Sequence, residues 1–191
     1  ISERSEIEKN TQVPILGEIS YSKKLSNVLI PYRSRSIIAE QLRLIRANLQ
    51  FFSSENKNQT ILVTSFISGE GKSFTAINLA NSLAATQAKV LLIDIDLRKP
   101  KVDEYLKINS SKGLTDFLVK NTPIEEIIIH HSGETNFDVI TAGPVPPNPT
   151  ELLMRDKMNT LFEYTKAQYD YIVIDSSPVG LVADSFVTNH F

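Results

Sequence analysis

The chain has 191 residues, 41% of them hydrophobic and 22% charged, with a formal net charge of −2. That balance suits one globular domain with a substantial core, and the near-neutral charge argues against a general nucleic-acid binder. There is no cysteine, so disulfides and thiol chemistry are excluded; no apolar run reaches the ~18 residues of a membrane span, and no secretory leader is visible. The chain begins at Ile1 rather than Met, which reads as a piece of a longer protein.

Residues 1–35 are polar around one apolar island, Val13-Pro14-Ile15-Leu16-Gly17-Glu18-Ile19, and read as an extended arm docked on the domain after it (36–191). Residues 36–52 read as a helix, with Ile38, Leu42, Ile45, Leu49 and Phe52 within about 80° of one another at ~100° per residue. Ile37, Leu44 and Phe51 make a second stripe on another side of the same helix. One stripe can face the body, so a second calls for another cover. A polar loop at 53–59 comes next. Strands are predicted at 61–66, 89–95, 137–141 and 170–175, and helices at 72–87, 113–120 and 149–167. This alternation predicts an α/β fold, a doubly wound and mainly parallel sheet with helices on both faces. Right-handed crossovers then gather the loops after the strands on one edge.

The chemistry concentrates on that edge. An apolar β-branched run, Ile61-Leu62-Val63, leads into Ser68-Gly69-Glu70-Gly71-Lys72-Ser73-Phe74, where a helical pattern begins. Strand, glycine loop, Gly-Lys-Ser and helix together hold a nucleotide triphosphate. Loop N–H groups and the helix N-terminus face the phosphates, Lys72 neutralises the β/γ oxygens, and Ser73 ligates Mg²⁺. The consensus glycine at the loop's start is replaced by Phe66, expected to pack under the loop. A bare Gly-Lys-Ser also occurs in solvated turns; the flanking strand and helix distinguish this one. Two further strands end in aspartate: Asp94 and Asp96, two apart and on one side of an extended chain, and Asp175. Aspartates also favour loop caps, but beside a phosphate loop they are the expected Mg²⁺ partners, with Asp96 and Asp175 holding its waters. His130, His131 and His190 lack a third spaced ligand, which argues against a metal centre there.

With these motifs the sequence resembles the cytoplasmic kinase domain of the bacterial tyrosine kinases of exopolysaccharide and capsule export, from about Val13 to the end. The matching segments are the loop Thr64–Ser73, the motif Asp94-Ile95-Asp96-Leu97-Arg98, the strand end Ile174-Asp175-Ser176-Ser177-Pro178, the loop Gly143–Leu153 and Pro14-Ile15-Leu16-Gly17. The related septum-site and partition ATPases carry a signature lysine where this chain has Ile67. The resemblance implies a P-loop fold and transfer from MgATP to tyrosine, by autophosphorylation in trans. It gives catalytic roles to Lys72, Asp94 (accepting the phenol proton), Asp96 and Arg98 (orienting the cluster). It also implies a membrane activator in the same or a separate chain, at the cytoplasmic face of the inner membrane. Glu40, Arg43 and Arg46 match a Glu-x-x-Arg-x-x-Arg motif at the subunit interface of a ring. At ~100° per residue the three fall within about 120° of arc, opposite the first apolar stripe, and on spacing alone they are an exposed Glu–Arg pair worth about 0.2–0.5 kcal/mol. Two departures stand out: the six tyrosines form no clustered tail, and the chain stops at Phe191, soon after Asp184. A missing sheet strand would leave a raw edge. Two alternatives use the same residues: an ATPase switch with water as nucleophile, and a non-catalytic nucleotide-binding scaffold.

Overall fold

A computed structural model describes residues 4–21, 28–52 and 58–179, without the Phe52 side chain. Most of the 53–59 loop, Asp184 and His190 lie outside the described residues. Five strands form one sheet in the order β1-β5-β2-β4-β3: β1 (Gln59–Val63), β2 (Val90–Asp94), β3 (Ile129–His131), β4 (Phe137–Ile140) and β5 (Tyr171–Asp175). All pairings are parallel except β3 with β4. The α/β, mainly parallel expectation holds; the antiparallel edge strand β3 was missed, its three residues being too short to show a period.

Both faces of the central strands β2, β4 and β5 are largely buried, as a parallel sheet requires, while the edge strands β1 and β3 are partly exposed. Leu91, Ile93, Ile172, Ile174 and Ile140 pack against α5 (Leu114–Lys120), α6 (Pro149–Leu153) and α7 (Lys157–Lys166) through Leu114, Leu118, Leu152 and Leu161. Their alternates Val90, Leu92, Val139 and Val173 face α3 (Lys72–Ala84) through Ala76, Ile77, Ala80 and Leu83. The period of two along each strand divides the core into these halves. The long helix predicted over 149–167 is broken at 154–156. There Arg155 donates to the Leu118 carbonyl (3.0 Å) and Lys157 to that of Phe117 (3.0 Å), satisfying carbonyls that the end of α5 leaves without helical partners. A short helix, α4 (Val102–Leu106), comes after the Asp-rich turn.

The helix α2 (Ile37–Phe52) packs on α3 and buries Ile38 and Leu42 with Ala39 and Ile30, while Ile37, Leu44 and Phe51 stay exposed. The arm is docked, but it is not extended throughout: α1 (Arg4–Asn10) is helical, with an Arg4–Glu8 pair one turn apart (2.7 Å). Residues 28–30 are laced to α3, where Asn78 Oδ1 accepts the Ile30 N–H (2.8 Å), Asn78 donates to the Val28 carbonyl (2.8 Å) and Asn81 donates to that of Ile30 (2.8 Å). Among the described residues β1 ends the sheet order.

Gly113 and Gly143 meet where α5 leaves the sheet. The Leu114 and Thr115 N–H groups donate to Thr141 and Ala142 (2.8 and 3.0 Å). Gly113 is extended (φ −161°), so the constraint is space: a Cβ would sit 2.5 Å from the Thr141 carbonyl oxygen and closer still to the Gly143 amide. Gly113→Ala is expected to lower stability by about 1–3 kcal/mol. Gly133→Ala, whose Cβ meets nothing nearer than 3.7 Å, is expected to be near neutral; urea midpoints of the two variants check this.

Candidate functional site

The loop between β1 and α3 reverses through Gly69 (φ 91°) and Gly71 (φ 89°), a left-handed backbone that side chains resist. Gly71 is the N-cap of α3 and leaves the first-turn N–H groups of α3 at the end of the sheet. Ser65 Oγ donates to the Ile67 carbonyl (2.8 Å), and Thr64 Oγ1 to that of Ser177 (3.1 Å), pinning the loop to the chain after β5. Phe66 does not pack under the loop: it is 70% exposed, because its N–H is turned inward to the Glu70 carboxylate. Ser68 is exposed, while the Phe74 side chain points away and packs on the cluster around Ile30 and Ile38.

Lys72 ends among carboxylates. Its ammonium lies 2.7 Å from Asp96 Oδ2, 3.5 Å from Asp175 Oδ1 and 3.4 Å from Ser73 Oγ. Asp94 and Asp175 are register partners on adjacent parallel strands, so their carboxylates share a level one strand spacing apart. Asp96 is not on the strand: β2 ends at Asp94, whose Oδ1 accepts the Asp96 N–H (2.9 Å) and turns the chain. Asp94 Oδ2 accepts the Val102 N–H (3.3 Å), and the side chain is fully buried. Asp96 Oδ1 accepts from Ser177 Oγ (3.1 Å) and from the Lys99 N–H (3.1 Å). Among the described residues the Arg98 guanidinium donates to Thr150 Oγ1 (3.0 Å) in the 143–153 loop.

Burial pushes the Asp94 carboxyl well above the usual range and Asp175 pushes it further, against the pull of its two N–H partners. Burial also raises Asp175, more than Lys72 and Ser73 lower it. For Asp96 the order reverses: burial pushes up, but the bond and charge of Lys72 win and hold it below the ordinary value. Burial pulls the Lys72 ammonium down, yet Asp175 and Asp96 outweigh it and keep it above its usual value. Three oxygen donors, from Ser73, Asp96 and Asp175, thus converge on one cationic nitrogen, while Asp175 Oδ2 is buried without a hydrogen-bond partner among the described residues. Such an all-oxygen set with an orphaned carboxylate oxygen suits a hard divalent cation such as Mg²⁺.

Lys72, Asp96, Asp175 and Ser73, expected from the sequence, do meet; Asp94 lies directly behind them. Ser177, Thr150 and Thr64 were not foreseen. They stand inside or beside the quoted motifs, but a loop hydroxyl gives no periodic signal. Glu40, Arg43 and Arg46 lie away on α2. Arg43 donates to the Ser34 carbonyl (2.7 Å), the Tyr32 carbonyl (3.1 Å) and Glu40 Oε1 (2.8 Å), and Arg46 donates to the Ser82 carbonyl (2.7 Å). Arg46 therefore does not stand opposite the buried stripe. Eight residues after Ile38 it lies only about 80° away at ~100° per residue, within reach of α3.

The glycine loop at the head of α3, with acidic strand ends beside it, defines a P-loop nucleotide-binding α/β domain. The AAA domain family matches residues 58–188. The tyrosine-protein kinase YwqD of Bacillus subtilis is 41% identical over 164 residues, 86% of this chain and 69% of that protein. The kinase domain of the Escherichia coli tyrosine kinase ETK superposes with a TM-score of 0.89 at 30% identity, covering 100% of this chain and 79% of that one. The chimerical protein CapA2B2 gives 0.87 at 33%, covering 99% and 81%. The chain belongs to the bacterial tyrosine-kinase family of P-loop proteins.

Lys72→Met removes the one cation of the cluster. Breaking a buried pair costs about 3–5 kcal/mol, so a lower melting temperature is expected at pH 7. Asp96, depressed in the wild type, contributes stability that is present above the unfolded carboxylate value and lost as pH falls through its folded value. Without the ammonium it joins Asp94 and Asp175 among raised carboxylates, whose stability is present below about 3.9 and lost as pH rises. The deficit should therefore shrink between pH 7 and pH 5; equal melting curves at pH 7 would remove Lys72 as the counter-ion.

Proposed function

We propose that this chain transfers the γ-phosphoryl group of MgATP to a tyrosine hydroxyl, in trans on another copy, within the control of exopolysaccharide assembly. The observation that supports this most directly is the convergence of Ser73, Asp96 and Asp175 on one cation position at the mouth of the phosphate loop. Transfer of the γ-phosphoryl group would leave ADP as the nucleotide product. Mg²⁺ would be held by Ser73, Asp96 and Asp175 and would supply neutralisation of the phosphate oxygens. Lys72 supplies the ammonium for the β/γ oxygens. The loop from Ser68 to Phe74 supplies backbone N–H groups, Glu70 and the two glycines included. Arg98, through Thr150, ties the Asp94–Arg98 motif to the 143–153 loop.

Asp94 is the proposed proton acceptor. A phenol at about 10 and an ordinary aspartate at about 3.9 differ by some six units, so ground-state deprotonation would cost about 8 kcal/mol at ~1.36 kcal/mol per unit. Burial and Asp175 raise Asp94 and narrow that gap. The remainder is met by timing, because in a loose transition state the proton leaves after the phenol oxygen has begun to bond phosphorus. Each Asp94 oxygen takes one N–H and keeps a second lone pair. Asp94→Asn is expected to slow transfer from γ-labelled ATP to protein tyrosine by at least about a hundredfold with ADP affinity within about twofold. Near-full transfer would remove Asp94 from the role. Free labelled phosphate with no labelled tyrosine in the wild type would replace the kinase by a hydrolytic switch.

Self-association is the second part of the reading. Ile37, Leu44 and Phe51 form an exposed apolar stripe beside Glu40, Arg43 and Arg46 on α2, and such a stripe favours a partner surface. A membrane activator, in the same or a separate chain, would bring the domain to the inner membrane; no helix among the described residues is long and apolar enough to cross it. Because Arg43 and Arg46 also brace the fold, the cleaner probe is Leu44→Glu with Phe51→Glu. This pair is expected to shift the sizing profile toward monomer; an unchanged profile in a variant that melts like the wild type would leave the stripe as plain surface.

A further inference from the structure

Glu70 folds back over its own loop. One carboxylate oxygen, Oε2, accepts the N–H groups of both Phe66 (2.9 Å) and Ile67 (3.1 Å). These two residues form the leg by which the chain leaves β1, whereas Glu70 stands between the left-handed glycines Gly69 and Gly71 on the leg that enters α3. The side chain therefore ties one leg of the phosphate loop to the other. It does so where the consensus glycine is replaced by Phe66, at the position where the loop lacks the backbone freedom of its usual residue.

We infer that the Glu70 carboxylate is a positioning residue, a staple that holds the phosphate loop in its nucleotide-accepting shape. The N–H groups that would meet phosphate belong to the loop's far end and the first turn of α3, from Gly69 to Phe74. The staple uses those of Phe66 and Ile67 instead, so it shapes the cradle without filling it. Hydrogen bonds to an ionised acceptor are roughly twice as strong as neutral ones, and a loop closed by two of them keeps its N–H groups converged before the ligand arrives. The same bonds explain why Phe66 and Ile67 turn their side chains to solvent: their N–H groups face inward. A carboxylate near a triphosphate also repels it, and that opposite effect is what the test separates.

The inference rests on the nucleotide reading above. Mg-ADP affinity of the whole chain, measured by calorimetry for wild type, Glu70→Ala and Glu70→Gln, tests it together with melting temperatures. Glu70→Ala is expected to weaken ADP about tenfold, the worth of one charge-assisted bond. Glu70→Gln, which keeps an acceptor oxygen, should recover to within about threefold of wild type, and all three should melt alike because Glu70 is exposed. Tighter or unchanged ADP binding in Glu70→Ala would overturn the staple, as would a glutamine variant no better than alanine. A wild type that fails to bind Mg-ADP would instead overturn the nucleotide reading itself.

Discussion

One ammonium buried among carboxylates sets the terms for the rest of the structure. Asp94, Asp96 and Asp175 are each at most 4% exposed, and among the described residues Lys72 is the cation paired with them. Several kcal/mol oppose the burial of each charge, while two unit charges about 4 Å apart gain about 4 kcal/mol at an effective dielectric of ~20. One cation can offset part of three such burials, not all. The residue is divided unevenly. Asp96, in direct contact with the nitrogen, is held ionised, and Asp94, behind it, is pushed toward its neutral form. A site with surplus negative charge facing a loop of N–H donors is built to take a divalent cation and an anionic chain together.

The sheet enforces this crowding. Asp94 and Asp175 are the last residues of neighbouring parallel strands and stand in register, as do Val63 and Asp175 on the other side. In-register parallel partners lie about 4.8 Å apart across the ladder, so the carboxylates cannot separate without slipping a strand. A slip by one residue would turn Leu92 and Val173 to the wrong half of the core. The apolar packing of both faces therefore holds the charges where electrostatics alone would drive them apart. The turn to Asp96 arises at the same point, since Asp94 caps the next backbone N–H but one and ends its own strand.

Much of this was legible beforehand because it repeats with a period. The strands of Leu91–Ile93 and Ile172–Ile174, the helix behind Lys72 and the first stripe of α2 announce themselves by spacing, and the strand ends announce the edge. Single interactions that oppose the local pattern stayed hidden. Arg155 breaks a helical run to reach a carbonyl that is remote in sequence. Three residues of β3 suffice for a strand only because β4 pairs them. Phe66 looks like a core residue by type and is solvent-facing because of a carboxylate four positions on. Arg46 was placed on the outer face of α2 with Glu40 and Arg43, though its own angle brings it to α3. Within the site, types and spacing brought out Lys72, Ser73, Asp96 and Asp175. They could not show that Arg98 reaches Thr150, because a long side chain is directed by what it meets.

The position of Lys72 unites these constraints. The oxygens that surround its nitrogen, from Ser73, Asp96 and Asp175, are the donors a hard cation would use, so the ammonium and a divalent ion cannot occupy that place together. A lysine suits such an exchange better than an arginine. Its charge is compact and carried on a flexible four-carbon stem, whereas a guanidinium's fixed fork would hold two carboxylate oxygens at once. A divalent cation held by these oxygens would make the ammonium redundant there, leaving Lys72 free to neutralise a phosphate in the loop whose last glycine precedes it. The same side chain thus serves the fold as the counter-ion of Asp96 and Asp175 and would serve a bound phosphate as its cation.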